Sequence, residues 1–139
     1  MDIDITILKS DILPEVYTIT GYNGKAAKDI DAISTTDDDK NILSIYMDEA
    51  LTDLSEIVSR SGFLKTDDDT NFVFSFSLPD NWNTNIQTSL GKNISQYVVN
   101  YVCYKWFMFT KQDVAKSYVD TMTNIVLKIR KNLTERNKP

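Results

Sequence analysis

Two runs of consecutive aspartates, Asp37-Asp38-Asp39 and Asp67-Asp68-Asp69, are the densest groups of ionisable side chains in the sequence, and divalent-cation binding is the first chemistry they suggest. Neither run has the alternating Asp/Asn ligands, central glycine and terminal glutamate of an EF-hand loop. Adjacent carboxylates also point in different directions, so the first run reads as helix capping and the second as a solvated loop. Histidine is absent, which removes the usual general base and every Ser/His/Asp or Cys/His relay. One cysteine, Cys103, and no histidine exclude an ordinary structural zinc site; Cys103 reads as a buried small hydrophobe. There is no Gly-rich phosphate loop and no Gly-x-Ser-x-Gly elbow. A carboxylate pair for glycoside hydrolysis would come together only in space, and nothing in the sequence favours one. The expectation is a non-enzyme with no catalytic, cofactor-binding or metal-binding residues.

The other conspicuous group is aromatic: Tyr97, Tyr101, Tyr104, Trp106, Phe107 and Phe109. Core packing accounts for part of it. A subunit interface is the second reading, since Tyr and Trp are enriched at contact cores. Stacking on nucleic acid is the third and weakest, because Lys105 is the only cation within the run.

These residues must be positioned by helices and a few strands. Over Ile94–Phe109, at about 100° per residue, apolar side chains cover nearly the whole circumference. A helix apolar all round is buried on all sides, and a chain of 139 residues surrounds few helices completely, so a neighbouring subunit is expected to supply some of the cover. Upstream, Ile3, Ile5 and Ile7 alternate with polar residues, as in a half-buried strand. Ser10 caps a helix from Asp11 to about Thr20 with Gly21 as its stop; a hairpin through Val16–Thr20 is the rival, because β-branched residues favour strands. Residues 22–35 read as a loop. Thr36 caps a core-facing helix carrying Leu43, Tyr46, Met47, Ala50, Leu51, Leu54, Ile57 and Val58 on one arc, stopped by Gly62. Phe72, Phe74, Phe76 and Leu78 alternate as a second strand, with the Ile3–Ile7 strand as its partner. The long helix begins at Asp80 or Asn81, with Gly91 inside it marking a kink or close contact. A turn near Thr110–Gln112 leads to a final helix from Asp113, striped with Val114, Ala115, Tyr118, Met122, Ile125, Val126, Ile129 and Leu133.

The fold class is therefore mainly α with a minor β element (α+β): a bundle of about four helices plus a short two-stranded β element. Residues 1–139 form one domain, with a flexible basic tail at 134–139. The acidic N-terminal residues do not suit a signal peptide, and no apolar run approaches the roughly 18 residues of a membrane span, which with the lone cysteine suggests a reducing cytosol. The net charge of −5 disfavours free nucleic acid or anionic membrane as main partner. It is unevenly spread. Residues 1–90 hold 17 acidic and 6 basic side chains, net −11, and residues 91–139 hold 3 and 9, net +6. Such polarity suits contact between copies, and equally suits solvated faces of opposite sign.

The order of elements carries a resemblance. The short helix at 11–20, the acid-capped TTDDDKNILSIYMDEALTDLSEIV, the break at LPDNWN, and the terminal ISQYVVNYVCYKWFMFTKQDVAKSYVDTMTNIVLKIRKNL together resemble small phage and prophage head–tail connector (adaptor, neck ring) proteins of the kind common in Bacteroidales phages. Residues 10–139 are covered, best over Thr36–Val58 and Tyr104–Thr110 with the following helix; the two strands depart from the plainest adaptors, which are nearly all helical. The resemblance implies a homo-oligomeric ring of about a dozen copies, closed by symmetry, in the neck of a virion at the head–tail junction, assembled in the bacterial cytoplasm. Its partners would be the portal protein and tail or further neck proteins, with packaged DNA passing through without specific binding. On that reading Tyr101, Trp106, Phe107 and Phe109 belong to the subunit interface, and Arg130, Lys131, Arg136 and Lys138 dock the portal. The aspartate triplets would line or flank the DNA channel. A small acidic antagonist or immunity-type protein that binds a basic partner is the alternative, drawn from the net −11 of residues 1–90.

Overall fold

The computed structural model describes residues 1–27 and 33–136. The elements are β1 (Asp2–Leu8), α1 (Lys9–Ala27), α2 (Lys40–Ile57, entered through a 3-10 turn at Asp37–Asp39), β2 (Gly62–Asp67), β3 (Asn71–Ser77), α3 (Gln87–Thr110, preceded by a 3-10 turn at Thr84–Ile86) and α4 (Gln112–Thr134). The mainly α, minor β architecture is as expected. The sheet has three strands rather than two, in the order β1-β3-β2, all antiparallel.

Alternation in β1 and β3 builds one apolar face. The register sets Ile3 opposite Phe76, Ile5 opposite Phe74 and Ile7 opposite Phe72, and the three phenylalanines are fully buried beneath the helices. Phe72 and Phe74 meet edge-on with centroids 6.1 Å apart, while Phe74 and Phe76 stack at 6.3 Å. The missed strand, β2, has no such pattern. It is an edge strand with a register shift between Leu64 and Thr66, and only Gly62 and Leu64 of its residues are half-buried. A bulge breaks the period of two, so alternation could not reveal it. Gly62, expected as a helix stop, instead opens β2: a Cβ there would lie 2.5 Å from both the Phe76 ring and the Ser75 carbonyl oxygen.

The helix reading of the first segment holds over the hairpin, but the helix runs past Gly21 to Ala27. Tertiary contact outweighs the local stop. The Thr20 hydroxyl is buried, bonds the Thr35 hydroxyl at 2.7 Å and accepts the Thr35 N–H at 3.0 Å, while the Asn23 side chain donates to the Ile19 carbonyl at 3.0 Å. The expected loop at 22–35 is thus helical through Ala27; its residues 28–32 lie outside the described residues.

α3 is the central element. It packs along α4, crosses α1 and α2, and rests on β1. Leu90, Ile94, Tyr97, Val98, Val99, Val102, Cys103 and Phe107 are buried within the single chain. The chain itself thus supplies most of the cover that was expected to come in part from a neighbouring subunit, while Met108 and Phe109 at the end of the helix stay exposed. Periodicity reports how much of the circumference is apolar; it does not report how many elements of the same chain surround it. Gly91 is where α3 meets β1, with Ile5 Cγ2 3.5 Å from the position a Cβ would take.

Candidate interaction surface

The four aromatics expected at a subunit interface separate in the structure. Phe107 is fully buried, its ring tilted against Tyr118 with centroids 5.6 Å apart, so it belongs to the α3–α4 core; this corrects its assignment to an interface. Trp106 is half-buried, and its indole N–H donates to the Ile33 carbonyl, tying the segment before α2 onto α3. Tyr101 is half-buried beside Tyr97, with the Lys105 ammonium 5.9 Å from its ring centroid; Lys105 also pairs with Glu49 at 3.3 Å. Burial followed by the nearby carboxylates Asp53 and Glu49 pushes the Tyr101 hydroxyl up to about 12. Only Phe109 projects into solvent, 78% exposed.

A groove runs between the two helices close to the turn that joins them. α3 ends at Thr110, Lys111 alone breaks the helix, and α4 starts at Gln112, so both helix ends lie side by side. Tyr104, Met108, Ala115 and Val119, with Gln112 and Lys116, line a shallow groove of about 200 Å³ between them. Met108 and Val119 are themselves exposed. Of the apolar stripe read along α4 only Ala115 reaches this groove, and Val119 lies outside that stripe, so the sequence pattern did not mark it.

The basic residues also separate. Arg130 and Lys131 are exposed on α4. Arg136 is half-buried and its guanidinium donates to the Leu133 carbonyl at 3.0 Å and the Glu135 carbonyl at 3.2 Å. A cation at a helix C-terminus satisfies carbonyls that have no partner in the helix, so Arg136 is committed to its own chain. Its backbone bridges Trp82, and Asn83 N–H donates to the Glu135 carbonyl at 3.2 Å. The tail expected to be free from Thr134 is therefore anchored as far as Arg136. Lys138 lies outside the described residues.

The aspartate triplets do local work. The Asp39 carboxylate accepts the Thr36 N–H at 2.9 Å while the Thr36 hydroxyl accepts the Asp38 N–H at 3.3 Å, a reciprocal cap on the 3-10 turn that leads into α2. In the β2–β3 turn, one oxygen of Asp68 accepts from Thr70 N–H, Thr70 hydroxyl and Asn71 N–H, each at 2.9 Å. The Asn71 and Thr70 bonds hold this carboxyl below the usual range. Asp67 pairs with Lys9 at 2.7 Å. Among the described residues no three or more acidic or cysteine side chains gather as a metal-ligand group, and no helix is long and apolar enough to cross a membrane.

Cys103 is fully buried, and burial together with Glu15 pushes its thiol up to about 12. A thiol that stays protonated is a poor nucleophile, so its role is packing. Sequence reasoning missed Trp82 altogether. It is fully buried and donates its indole N–H to the Asn132 carbonyl at 2.8 Å, yet it sits in a polar stretch, PDNWN, with no periodic pattern to mark it. Compared with family models, curated proteins and solved structures, the chain matches none.

Proposed function

We propose that the chain is a structural subunit that works by binding other protein surfaces, and that it joins the capsid portal to the tail as a ring subunit of a phage neck. The observation that carries the first half is at the joined ends of the α3–α4 pair, where the exposed Met108 and Val119 line an apolar groove and Phe109, next to Met108 in the chain, is exposed as well. Large apolar side chains clustered in this way mark contact sites more often than scattered ones do. The neck assignment draws on the order of elements and its resemblance to head–tail connectors.

On this reading the subunit contact shifts from the aromatic run as a whole to its exposed end, Phe109 with Met108, Tyr104 and Val119, and Tyr101 at its flank. Portal docking falls to Arg130 and Lys131, which are free of the capping duty that Arg136 performs. Weak contacts repeated round a closed ring add up to a firm joint. The second reading, an acidic antagonist of a basic protein, draws on the net −11 of residues 1–90.

Mass measurement in solution with negative-stain imaging, alone at high concentration and with a purified portal, tests the proposal. Rings in either condition support it. A monomer in both that binds a cationic protein tightly at low salt and weakly at high salt would replace it with the second reading.

A further inference from the structure

A cleft lies between the segment that ends α2 and the end of α4. It encloses about 530 Å³ between residues 56–61, Arg130, Leu133 and Thr134. Arg60, in the turn between α2 and β2, and Arg130 of α4 line it, both exposed. Among the described residues neither guanidinium is engaged in an ion pair or hydrogen bond. The hydroxyls of Ser59, Ser61 and Thr134 are also on its wall, and Glu56 is its one carboxylate. Two arginines against one glutamate suit a carboxylate-bearing occupant, which a guanidinium fork can bind through paired hydrogen bonds.

The same chain carries such an occupant at the far end of β2. Ser61, on the cleft, directly precedes β2, and Asp68 directly follows it. Six residues of strand separate the two by roughly 20 Å at about 3.3 Å per residue. At that far end Asp67 is already paired with Lys9, and Asp68 uses one oxygen to build the turn. Asp69 is exposed and, among the described residues, in no ion pair.

We propose that the Asp68–Asp69 tip of one copy seats in the Arg60–Arg130 cleft of the next. A contact that joins two different surfaces, one at each end of β2, is head-to-tail, and such a contact generates rings when the rotation closes. It therefore rests on the reading of the chain as a self-assembling subunit, and it adds a polar contact separate from the apolar groove and Phe109. Within it Arg130 serves a neighbouring copy, and the portal contact of that reading falls to Lys131.

A charge swap tests this. The Arg60→Glu/Arg130→Glu double variant and the Asp69→Arg variant are each expected to self-assemble at least about ten-fold more weakly than wild type at low salt, with unchanged thermal melting. Mixed in equal amounts, they are expected to assemble again, since the acidic tip of one variant meets the basic cleft of the other and the reverse. Asp69→Cys and Thr134→Cys chains, when mixed, are expected to cross-link between copies under oxidation. If wild type assembles and the charge variants assemble equally well, or the mixed cysteine chains give no cross-link, the contact is overturned and the assembly reading stands. A wild-type chain that assembles under no condition would remove both.

Discussion

The indole N–H of Trp82 donates to the main-chain carbonyl of Asn132 at 2.8 Å, across 50 positions of sequence and within a fully buried setting. Asn132 is in the last turn of α4, where carbonyls have no partner inside the helix. Its side-chain oxygen accepts from Asn93 of α3 at 2.7 Å. One residue thus joins the linker after β3, the start of α3 and the end of α4.

That relationship predicts a graded loss of stability. Trp82→Phe keeps most of the apolar contact but orphans the carbonyl, which costs about 1–3 kcal/mol. Trp82→Ala adds a large cavity and costs about 3–5 kcal/mol. Urea unfolding checks both; a Trp82→Phe midpoint equal to wild type would show that the hydrogen bond contributes nothing.

The two glycines at the sheet predict opposite signs. Gly91→Ala places a methyl at ordinary contact distance from Ile5, and the gain in helix propensity should stabilise by up to about 1 kcal/mol. Gly62→Ala drives a methyl into the Phe76 ring and the Ser75 carbonyl, and should destabilise by about 1–3 kcal/mol through strain. Paired thermal melts read both, and a Gly91→Ala chain that melts lower would contradict the packing of α3 on β1.

Phe107 and Phe109 predict a separation of folding from assembly. Phe107→Ala opens the α3–α4 core and should cost about 3–5 kcal/mol. Phe109→Ser, at a 78% exposed position, should stay within about 0.5 kcal/mol of wild type while weakening self-association. Sedimentation beside chemical unfolding separates the effects, and oligomers unaffected by Phe109→Ser would move the contact elsewhere.

pH acts at both extremes, with opposite signs. The Asp68 carboxyl is held down by the Asn71 and Thr70 hydrogen bonds. A depressed folded pKa means that its contribution is complete above the unfolded value of about 3.9 and is lost as pH falls through the folded value. NMR titration of Asp68, followed with the Asn71 amide, should therefore show a midpoint below that of an ordinary aspartate. Burial pushes Tyr97 and Tyr118 up to about 12. A raised folded pKa contributes fully below the unfolded value near 10 and is lost as pH rises towards 12. Absorbance titration should resolve late-ionising tyrosines that merge with the rest on unfolding.

Cys103 should resist a neutral thiol reagent in the native protein and react fully in denaturant, since its thiol is buried and raised to about 12. Rapid native labelling at the global unfolding-independent rate would mean that α3 opens locally at its centre.

Much of this architecture was readable in the chain because it rests on local periods. The Ile3/Ile5/Ile7 and Phe72/Phe74/Phe76 alternations, the Thr36 cap and the apolar arc from Leu43 to Leu54 each announce an element and its inward face. Side-chain direction repeats every two residues in a strand and about every 3.6 in a helix, so a face can be read before its partner is known. Tertiary structure alone decided what covers each face. It placed α3 among α1, α2, α4 and β1, hid Phe107 while exposing Phe109, spent Arg136 on a helix end, and extended α1 past Gly21 through the Thr20–Thr35 hydrogen bonds. Those outcomes depend on contacts between residues tens of positions apart, such as Trp82 with Asn132 and Trp106 with Ile33, and no local period encodes a distant partner.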